Sequence, residues 1–551
     1  MIDSIKSNEA WANRASLLLL MVLSLLILQT VWDYGLSWDE VFRYQSGETK
    51  IAYYKALVGG DFERAKFLRQ HTDSYPGLYD LSVAGLRAIS PFDDVVSGHF
   101  LIAAFGLLGI GGAMMLAREI GGPWLGLLAG ILLAACSRYW GHMFINPKDI
   151  PFAATFVWGV WAIIRSVYSE RELDLRWAWF FGVIAGVCMS VRVGGLLLFC
   201  YLGFFFLLRF LVCIFGSKSS ISDLLGKLKG MILWFLCASL PALVLLLIFL
   251  PSMHANPFST AVGALESVTS FGWEGVVLFE GIEYRADELP WNYLLTWLLI
   301  GLPDLWLVGG VSGLGVFVLR NIKRLSVFTS SECIKVSMLI FMAFFPPAFI
   351  ILKSSTVYDG FRHILFVVPM IAVLSAFFMY KLLSELRSHK VRGILLFLLG
   401  SLFFGGLFDQ IKIHPYQYTY FNRLSGGYVR GADRFDAEYW GTSYKEAVAG
   451  LVRYIREGNP KPVVDSVRVS MHPPYDRVLD RFGKIVVPPP ALGAIYLPEG
   501  FIVVEPNEHP DFFISISRNG FADLLPGESI YEVRRMGVVL ARVTAAPPDW
   551  N

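Results

Sequence analysis

The chain has 551 residues, 55% of them hydrophobic, a mean hydropathy of +0.54 and a net charge of +2. That apolar share exceeds the roughly 45–50% of a soluble domain and gathers in runs of about 17–25 residues, the length that crosses ~30 Å of hydrocarbon as a helix. A soluble globular class is thereby excluded, and the near-neutral charge leaves no electrostatic footprint for nucleic acid.

Eleven apolar spans are predicted, near 14–33, 97–117, 122–137, 150–166, 177–192, 194–215, 230–251, 292–319, 336–352, 363–381 and 393–410. No small-residue cleavage site follows the first run, which is expected to stay as an anchor. The six cysteines lie in or beside these runs and suggest neither a disulfide framework nor a zinc site. Basic residues mark alternate loops: Lys6 and Arg14, Arg118, Arg165 with Arg171 and Arg176, Lys218 with Lys227 and Lys229, Arg320 with Lys323 and Arg324, and Lys381 through Arg392. The positive-inside rule puts these in the cytoplasm, with the N-terminus inside and the C-terminus outside. Outside lie about 34–96, about 252–291 and the tail from about 411, with short turns at 138–149, near 192–194 and at 353–362. Eight of the nine histidines fall on that side, His389 being the exception. The polar chemistry is therefore expected on the outer face.

The first outer loop opens with Leu36-Ser37-Trp38-Asp39-Glu40-Val41-Phe42-Arg43-Tyr44. Ser37-x-x-Glu40 forms a capping box and predicts a helix running towards Tyr54. In a purely structural reading Glu40 caps that helix, Asp39 sits at its positive end and Arg43 pairs with Asp39 four residues on. Asp39 nevertheless follows an apolar span by a few residues, beside Trp38 and Phe42. A carboxylate there is costly unless it is paired or used, which makes Asp39 a functional candidate.

The tail, 411–551, changes character, with polar residues, Pro and Gly interrupting every run. Ser443 to Glu457 reads as a helix, with Tyr444, Ala447, Leu451 and Tyr454 at helical spacing. Val463–Val469, Phe501–Val504 and Phe512–Ser517 read as strands, and Ile530–Arg534 with Val538–Val543 as a hairpin through Met536-Gly537. The fold class expected is a polytopic α-helical membrane protein: a transmembrane catalytic domain over 1–410, including outer loop 34–96, and an extracytoplasmic α/β domain over 411–551. There is no internal repeat and no low-complexity tract.

An Asp-Glu pair directly after the first span, then Arg and Tyr on an amphipathic helix, resembles the GT-C class of membrane glycosyltransferases. The nearest groups are the protein O-mannosyltransferases and the enzymes that add aminoarabinose to lipid A. Tyr75-Pro76-Gly77-Leu78-Tyr79 resembles their Pro-Pro-Leu-Tyr motif, and the paired spans from Gly98 to Arg165 and Tyr358-Asp359-Gly360-Phe361-Arg362-His363 are also similar. The chain departs in having Ser74-Tyr75 and a single proline where relatives have Lys or His before Pro-Pro, and in placing Arg43 one residue late.

The resemblance implies an inverting transfer of a sugar from a polyprenyl-phosphate donor to a hydroxyl of a protein, lipid or glycan acceptor, in a bacterial inner membrane. The hydroxyl needs a positioned base, typically worth about 10²–10⁴ in rate. The departing phosphate needs positive charge more than a proton, its second pKa being about 6. Asp39 is the base expected, with Glu40 and Asp149 orienting it or the acceptor. Lys148, Arg192 and Arg362 are expected to hold the donor phosphate, with Arg43 and His363 beside them, and Tyr75, Tyr358 and Tyr418 to contact acceptor or sugar.

Each assignment has a structural competitor. Asp149 in Asn146-Pro147-Lys148-Asp149-Ile150-Pro151 can cap the fourth span, and Lys148 can snorkel. Arg192 lies in a tight outer turn, where an arginine between apolar spans is a functional candidate by default. Arg362 can grip a phosphate bidentately or anchor the interface. His142 reads as an interfacial aromatic and His99 as a core histidine. His414 to Asn422 reads as an interfacial belt that could line an acceptor entrance, and Tyr439-Trp440 as domain packing or a sugar platform. No cofactor is required; Asp39, Glu40 and Asp149 could share a divalent cation, as some members of the class do. A transporter or flippase of lipid-linked sugars would carry charge at the span centres and show repeated halves. A non-catalytic scaffold would not explain the acid pair, and a polymerase or ligase would have its main outer loop later in the chain.

Overall fold

The computed structural model of the chain describes residues 2–73, 75–167, 174–216, 220–269, 272–273, 275–324, 330–458, 466–473, 492–548 and 550. Ser74, Arg171, Lys218 and the first residues of the expected Val463–Val469 strand lie outside that set.

All eleven apolar runs are helical. Among the described residues eight helices are long and apolar enough to cross a membrane: α1 (spanning from Asn8 to Thr30), α5 (Asp94–Gly121), α8 (Asp149–Val167), α10 with its leading turn (Val193–Phe215), α11 (Ile221–Phe249), α15 (Ser331–Leu352), α16 with its leading turn (Arg362–Glu385) and α17 (His389–Lys412). α9 (Leu175–Met189) is shorter. α8 and α16 lie at the centre, with 89% of their spans buried, whereas α17, with 6%, lies at the rim.

The other two runs are bent. Residues 122–137 form α6 (Pro123–Ala134), which turns by 69° into α7 (Ser137–Ile145). The expected outer turn at 138–149 is thus largely a helix, and every residue of α7 is buried. A buried loop would leave backbone groups unpaired, which a helix avoids. Residues 292–319 form α13 (Tyr293–Gly301) and α14 (Val311–Arg324), with a 106° bend between them. The carbonyls freed there are recovered by Asn422. Its Nδ2 donates to Leu299 and Leu302 at 2.6 and 2.8 Å, and its N–H to Ile300 at 2.8 Å.

Three helices fill the first long loop, the one expected outside: α2 (Trp38–Val58), α3 (Phe62–Gln70) and α4 (Leu78–Ile89). α2 starts where the capping box puts it and overruns Tyr54 by four residues. α12 (Pro257–Thr269) and a hairpin of β1 (Val276–Phe279) and β2 (Ile282–Arg285) fill the second.

The described residues of the tail form α18 (Gly427–Arg434), α19 (Tyr444–Arg456) and five strands, β3 (Val467–Ser470), β4 (Phe501–Val503), β5 (Phe512–Ile516), β6 (Ser529–Arg535) and β7 (Val538–Ala545). Their order is β4-β3-β5-β7-β6, parallel from β4 to β5 and antiparallel from β5 to β6. α19 packs on the sheet through Ala447, Val448 and Leu451.

The stretch from His414 to Asn422 is not an interfacial belt. Tyr416, Tyr418, Tyr420 and Phe421 are all buried between the helices and the sheet. The segment before α2 passes so close to Thr442 that Gly35 leaves no room for a Cβ. The tail therefore packs directly against the start of α2.

Candidate active site

Trp38, Asp39 and Glu40 open α2, and successive positions on a helix point about 100° apart. Glu40 consequently faces the packing. Its carboxylate accepts the Ser37 N–H and the Tyr44 hydroxyl, both at 2.9 Å, and lies 3.2 Å from Nε2 of the fully buried His99. The expectation that Glu40 orients base or acceptor is corrected: it is enclosed as cap and core, and His99 is a core histidine whose ring nitrogens make no hydrogen bond among the described residues.

Asp39 faces the other way. Its Oδ2 accepts from Arg362 Nη2 at 2.5 Å and from Lys148 Nζ at 3.0 Å. Its Oδ1 accepts no hydrogen bond from the described residues, and the side chain keeps 11% of its surface open. Burial pushes the Asp39 carboxyl up, but the Lys148 and Arg362 charges outweigh it and hold the group at about 2. It is ionised at any physiological pH.

Arg43 does not pair with Asp39. It turns to Asp73 at 2.5 Å and Asp80 at 3.2 Å, where Lys50 joins at 2.8 and 2.6 Å. This quartet fastens α2 to α4 through Asp80 and to the segment before it through Asp73, and it occupies Arg43 away from the expected phosphate role. Tyr75 lies between the two sets of charges, its ring 5.0 Å from the Arg43 guanidinium and 5.1 Å from Lys148 Nζ.

The turn from α7 to α8 brings Asp149. Asn146 holds it from both sides: its Oδ1 accepts the Asp149 N–H and its Nδ2 donates to Asp149 Oδ2, each at 2.9 Å. Asp149 Oδ1 pairs with Arg192, and Oδ2 accepts from Arg362 Nε at 3.2 Å. Both oxygens are engaged, so Asp149 orients cations and offers no open oxygen. His142 is buried one turn earlier, 3.1 Å from Asn146 Nδ2. It supports the turn and does not sit at an interface.

Arg362 is the hub. Its three nitrogens reach three carboxylates: Nη2 to Asp39, Nε to Asp149, and Nη1 to Asp359 at 3.0 Å. Trp440 covers it, ring centre 4.4 Å away. With 5% of its side chain exposed, Arg362 has no free fork for a phosphate; here the expectation of a bidentate grip is corrected. Lys148 and Arg192 differ. They are 16% and 25% exposed and each meets one carboxylate among the described residues. His363 sits edge-on to Tyr358 at 4.6 Å, with Nδ1 unpartnered. Tyr358 stacks on Trp273 at 4.3 Å. Tyr418 is fully buried, donating to Glu438 Oε2 at 2.6 Å, and contacts no open surface; its expected contact with acceptor or sugar is corrected.

Three residues have roles the sequence did not indicate. Asp359 stands in the family-like run from Tyr358 to His363, where no role of its own was expected. Trp440, readable as domain packing or a sugar platform, is the cover of Arg362. Arg518 in the tail lies 3.0 Å from Asp359, and its sequence signal is faint, an Arg-Asn-Gly turn after a buried strand. Glu438 supports Trp440 by accepting the Trp440 N–H at 2.9 Å and the Ser443 N–H at 3.1 Å.

Three carboxylates (Asp39, Asp149, Asp359) thus pair with four cations (Lys148, Arg192, Arg362, Arg518), one positive charge in surplus among the paired groups; Asp436, within reach of Arg518, is pushed up to about 7 by burial. A divalent cation does not fit this arrangement. Glu40 points away, and the Asp39 and Asp149 oxygens that face inward already hold cations. Among the described residues no group of three His, Cys, Asp or Glu is placed to share a metal.

The fold and site define the class: a polytopic membrane protein with a carboxylate–cation centre at one end of its helices, roofed by a C-terminal sheet domain. No protein-family model matches the chain, and no curated protein sequence matches it. Among solved structures it is similar to ArnT from Cupriavidus metallidurans bound to undecaprenyl phosphate, at 12% identity and TM-score 0.45, over 97% of this chain and 99% of that one. It is also similar to the archaeal oligosaccharyltransferase AglB from Archaeoglobus fulgidus in complex with an inhibitory peptide and a dolichol-phosphate, at 11% identity and TM-score 0.47, over 99% and 75%. A third is an Archaeoglobus fulgidus oligosaccharyltransferase in the apo form, at 11% identity and TM-score 0.43, covering 72% of this chain but only 54% of that protein.

Proposed function

We propose that this chain is an inverting glycosyltransferase that moves a sugar from a polyprenyl-phosphate donor to a hydroxyl on a protein, lipid or glycan acceptor, at the extracytoplasmic face of a bacterial inner membrane. In this reading 1–410 is the catalytic domain, 411–551 the outer domain, and the N-terminus is cytoplasmic. The observation that carries it is Asp39: one oxygen clamped by Lys148 and Arg362, the other open, inside a site with one surplus positive charge. The motifs around Asp39, Tyr75 and Arg362 support the same reading.

The acceptor hydroxyl gives its proton to Asp39 Oδ1 as its oxygen bonds to the anomeric carbon. The bond from that carbon to the phosphate oxygen breaks, and the electron pair leaves with the phosphate. Polyprenyl phosphate departs as an anion, so charge compensation is needed and a protonated leaving group is not. Lys148 and Arg192, the cations with spare donors, take that phosphate. Arg362 keeps Asp39 ionised and aimed. A carboxylate near 2 is a weak base in the resting enzyme. Its basicity rises once the phosphate draws Lys148 away and adds negative charge nearby. The base is therefore strengthened by donor binding.

The test is sugar transfer in membranes carrying the full chain, with labelled polyprenyl-phosphate sugars as donors and Asp39→Asn as comparison. Wild type labels an acceptor and D39N, inserted to the same level, does not. Equal transfer by the two would remove Asp39 from the chemistry.

A further inference from the structure

Besides Trp440, which covers Arg362, the C-terminal domain reaches into the centre through one cationic side chain, Arg518. Arg518 follows β5 in a turn where Asn519 and Gly520 take φ of +50° and +66°, a left-handed pair that only Asn, Asp and Gly adopt readily. Its guanidinium is buried, 5.3 Å from the ring centres of both Trp38 and Trp273, and Nη1 donates to the Tyr439 carbonyl at 2.9 Å. A charge so desolvated is costly unless it is paired. Asp359 is the carboxylate it pairs with among the described residues, Nη2 lying 3.0 Å from Oδ1, while the buried Asp436 feels the Arg518 charge from farther off.

Asp359 is itself held unusually. It is a non-glycine residue at φ +54°, followed by Gly360 at +74°, and the Gly360 N–H donates to the Tyr293 hydroxyl at 3.1 Å. Such backbone persists where the surroundings over-determine it, often at working sites. Its second oxygen takes Arg362 Nη1 at 3.0 Å. Asp359 thus has two guanidinium partners, one from the helices and one from the tail.

Resting on the transfer reading above, the geometry points to Arg518 as a positioning residue that acts through Asp359 on Arg362. Arg362 divides its nitrogens among Asp39, Asp149 and Asp359. While Arg518 engages one oxygen of Asp359, that carboxylate draws on Arg362 with only the other. Without Arg518, Asp359 is a buried carboxylate whose one remaining cation is Arg362. It pulls the guanidinium towards itself and off Asp39 Oδ2. The C-terminal domain then belongs to the catalytic apparatus, beyond any part it plays in recognising the acceptor, and a chain lacking it would carry an untuned base.

The test is a mutant cycle in the full-length chain in membranes. Arg518→Gln is expected to lower kcat between about 10- and 100-fold, the scale of a misplaced catalytic group, with donor KM changed less than about twofold. Arg518→Lys, which keeps the charge, recovers part of that loss. In an Asp359→Asn background Arg518→Gln has no further effect on kcat, because the carboxylate it works through is gone. If R518Q lowers kcat by the same factor with and without Asp359, Arg518 is only an attachment between domains and the relay is wrong. The relay is equally wrong if R518Q leaves kcat at the wild-type value. A wild type that transfers from no donor overturns the functional reading instead. The relay is then read alone, through the thermal midpoints of R518Q, R362Q and the double variant of the purified chain: non-additive shifts uphold it and additive shifts overturn it.

Discussion

Replacing Asp39 with Asn keeps the shape of the side chain and removes its charge. Two consequences can be sized from the site. The first is catalytic. Losing a general base costs typically about 10²–10⁴ in rate, equivalent to about 3–5 kcal/mol of barrier at 1.36 kcal/mol per tenfold. The second is structural. Burial disfavours the ionised Asp39, yet Lys148 and Arg362 hold its carboxyl at about 2 against an ordinary 3.8, a difference worth about 2 kcal/mol of folded-state stability. Because the folded value is depressed, that stability is present above about pH 4 and lost as the pH falls towards 2. At neutral pH D39N therefore loses it whole. Stability loss alone can lower transfer, so Asp359→Asn is the matched control: it too strips one carboxylate from Arg362 but leaves the open oxygen of Asp39 untouched. The assay is kcat for transfer from labelled polyprenyl-phosphate sugar in membranes, normalised to inserted protein, with thermal midpoints taken in parallel. D39N is expected to fall well below D359N in kcat at a similar midpoint. A D39N enzyme within about threefold of D359N would refute the assignment of the base, since the whole effect would then be ion-pair loss.

Three further outcomes follow from the same geometry. Lys148→Met and Arg192→Met each raise donor KM about tenfold, the scale of one charge-assisted contact to phosphate, with a smaller change in kcat; a donor titration that shows unchanged KM would exclude both as phosphate ligands. Glu40→Gln leaves kcat near wild type but lowers the thermal midpoint, since a buried acceptor serving Ser37 and Tyr44 is worth about 1–3 kcal/mol; a hundredfold fall in kcat would return Glu40 to the chemistry. Asp39, facing Lys148, Arg362, Asp149, Arg43 and Tyr358, titrates near 2 in the free enzyme, so kcat/KM stays level as the pH is lowered to about 4, whereas the acid limb of kcat, which reports the donor complex, lies higher. Coincident limbs would show that donor binding does not strengthen the base.

Local chemistry made most of the helices legible. A run long enough to span is a property of consecutive residues, and all eleven became helix. The bends are only partly legible. Gly301 and Pro303 mark a break inside residues 292–319, but its sharpness, and the recovery of its carbonyls by Asn422, depend on a partner more than a hundred residues away. Asp39 could be read because the cost of a carboxylate beside an apolar span is itself local. Asp359 could not, since between Tyr358 and Gly360 it passes for a turn residue. Tyr418 misled for the opposite reason: a tyrosine-rich segment after a span looks interfacial until α7 and the 438–442 segment enclose it. Arg518 carried no signal on its own, and its partner lies in another part of the chain.

The placing of Arg362 changes how the centre must work. Between apolar spans, an arginine at the mouth of a helix invites the role of phosphate clamp. Here each of its nitrogens already meets a carboxylate and Trp440 closes one face. For Arg362 to grip a phosphate it would have to release Asp39, Asp149 or Asp359, leaving a buried carboxylate short of its partner, a change that costs several kcal/mol. Lys148 and Arg192 face no such penalty: each gives up one shared contact at a partly open rim and gains a phosphate. The surplus positive charge of the centre is thus usable only at that rim. Under the proposed transfer, phosphate binding and the orientation of the base fall to different cations, and the donor, by drawing on Lys148 but not on Arg362, raises the basicity of Asp39 without disturbing its aim.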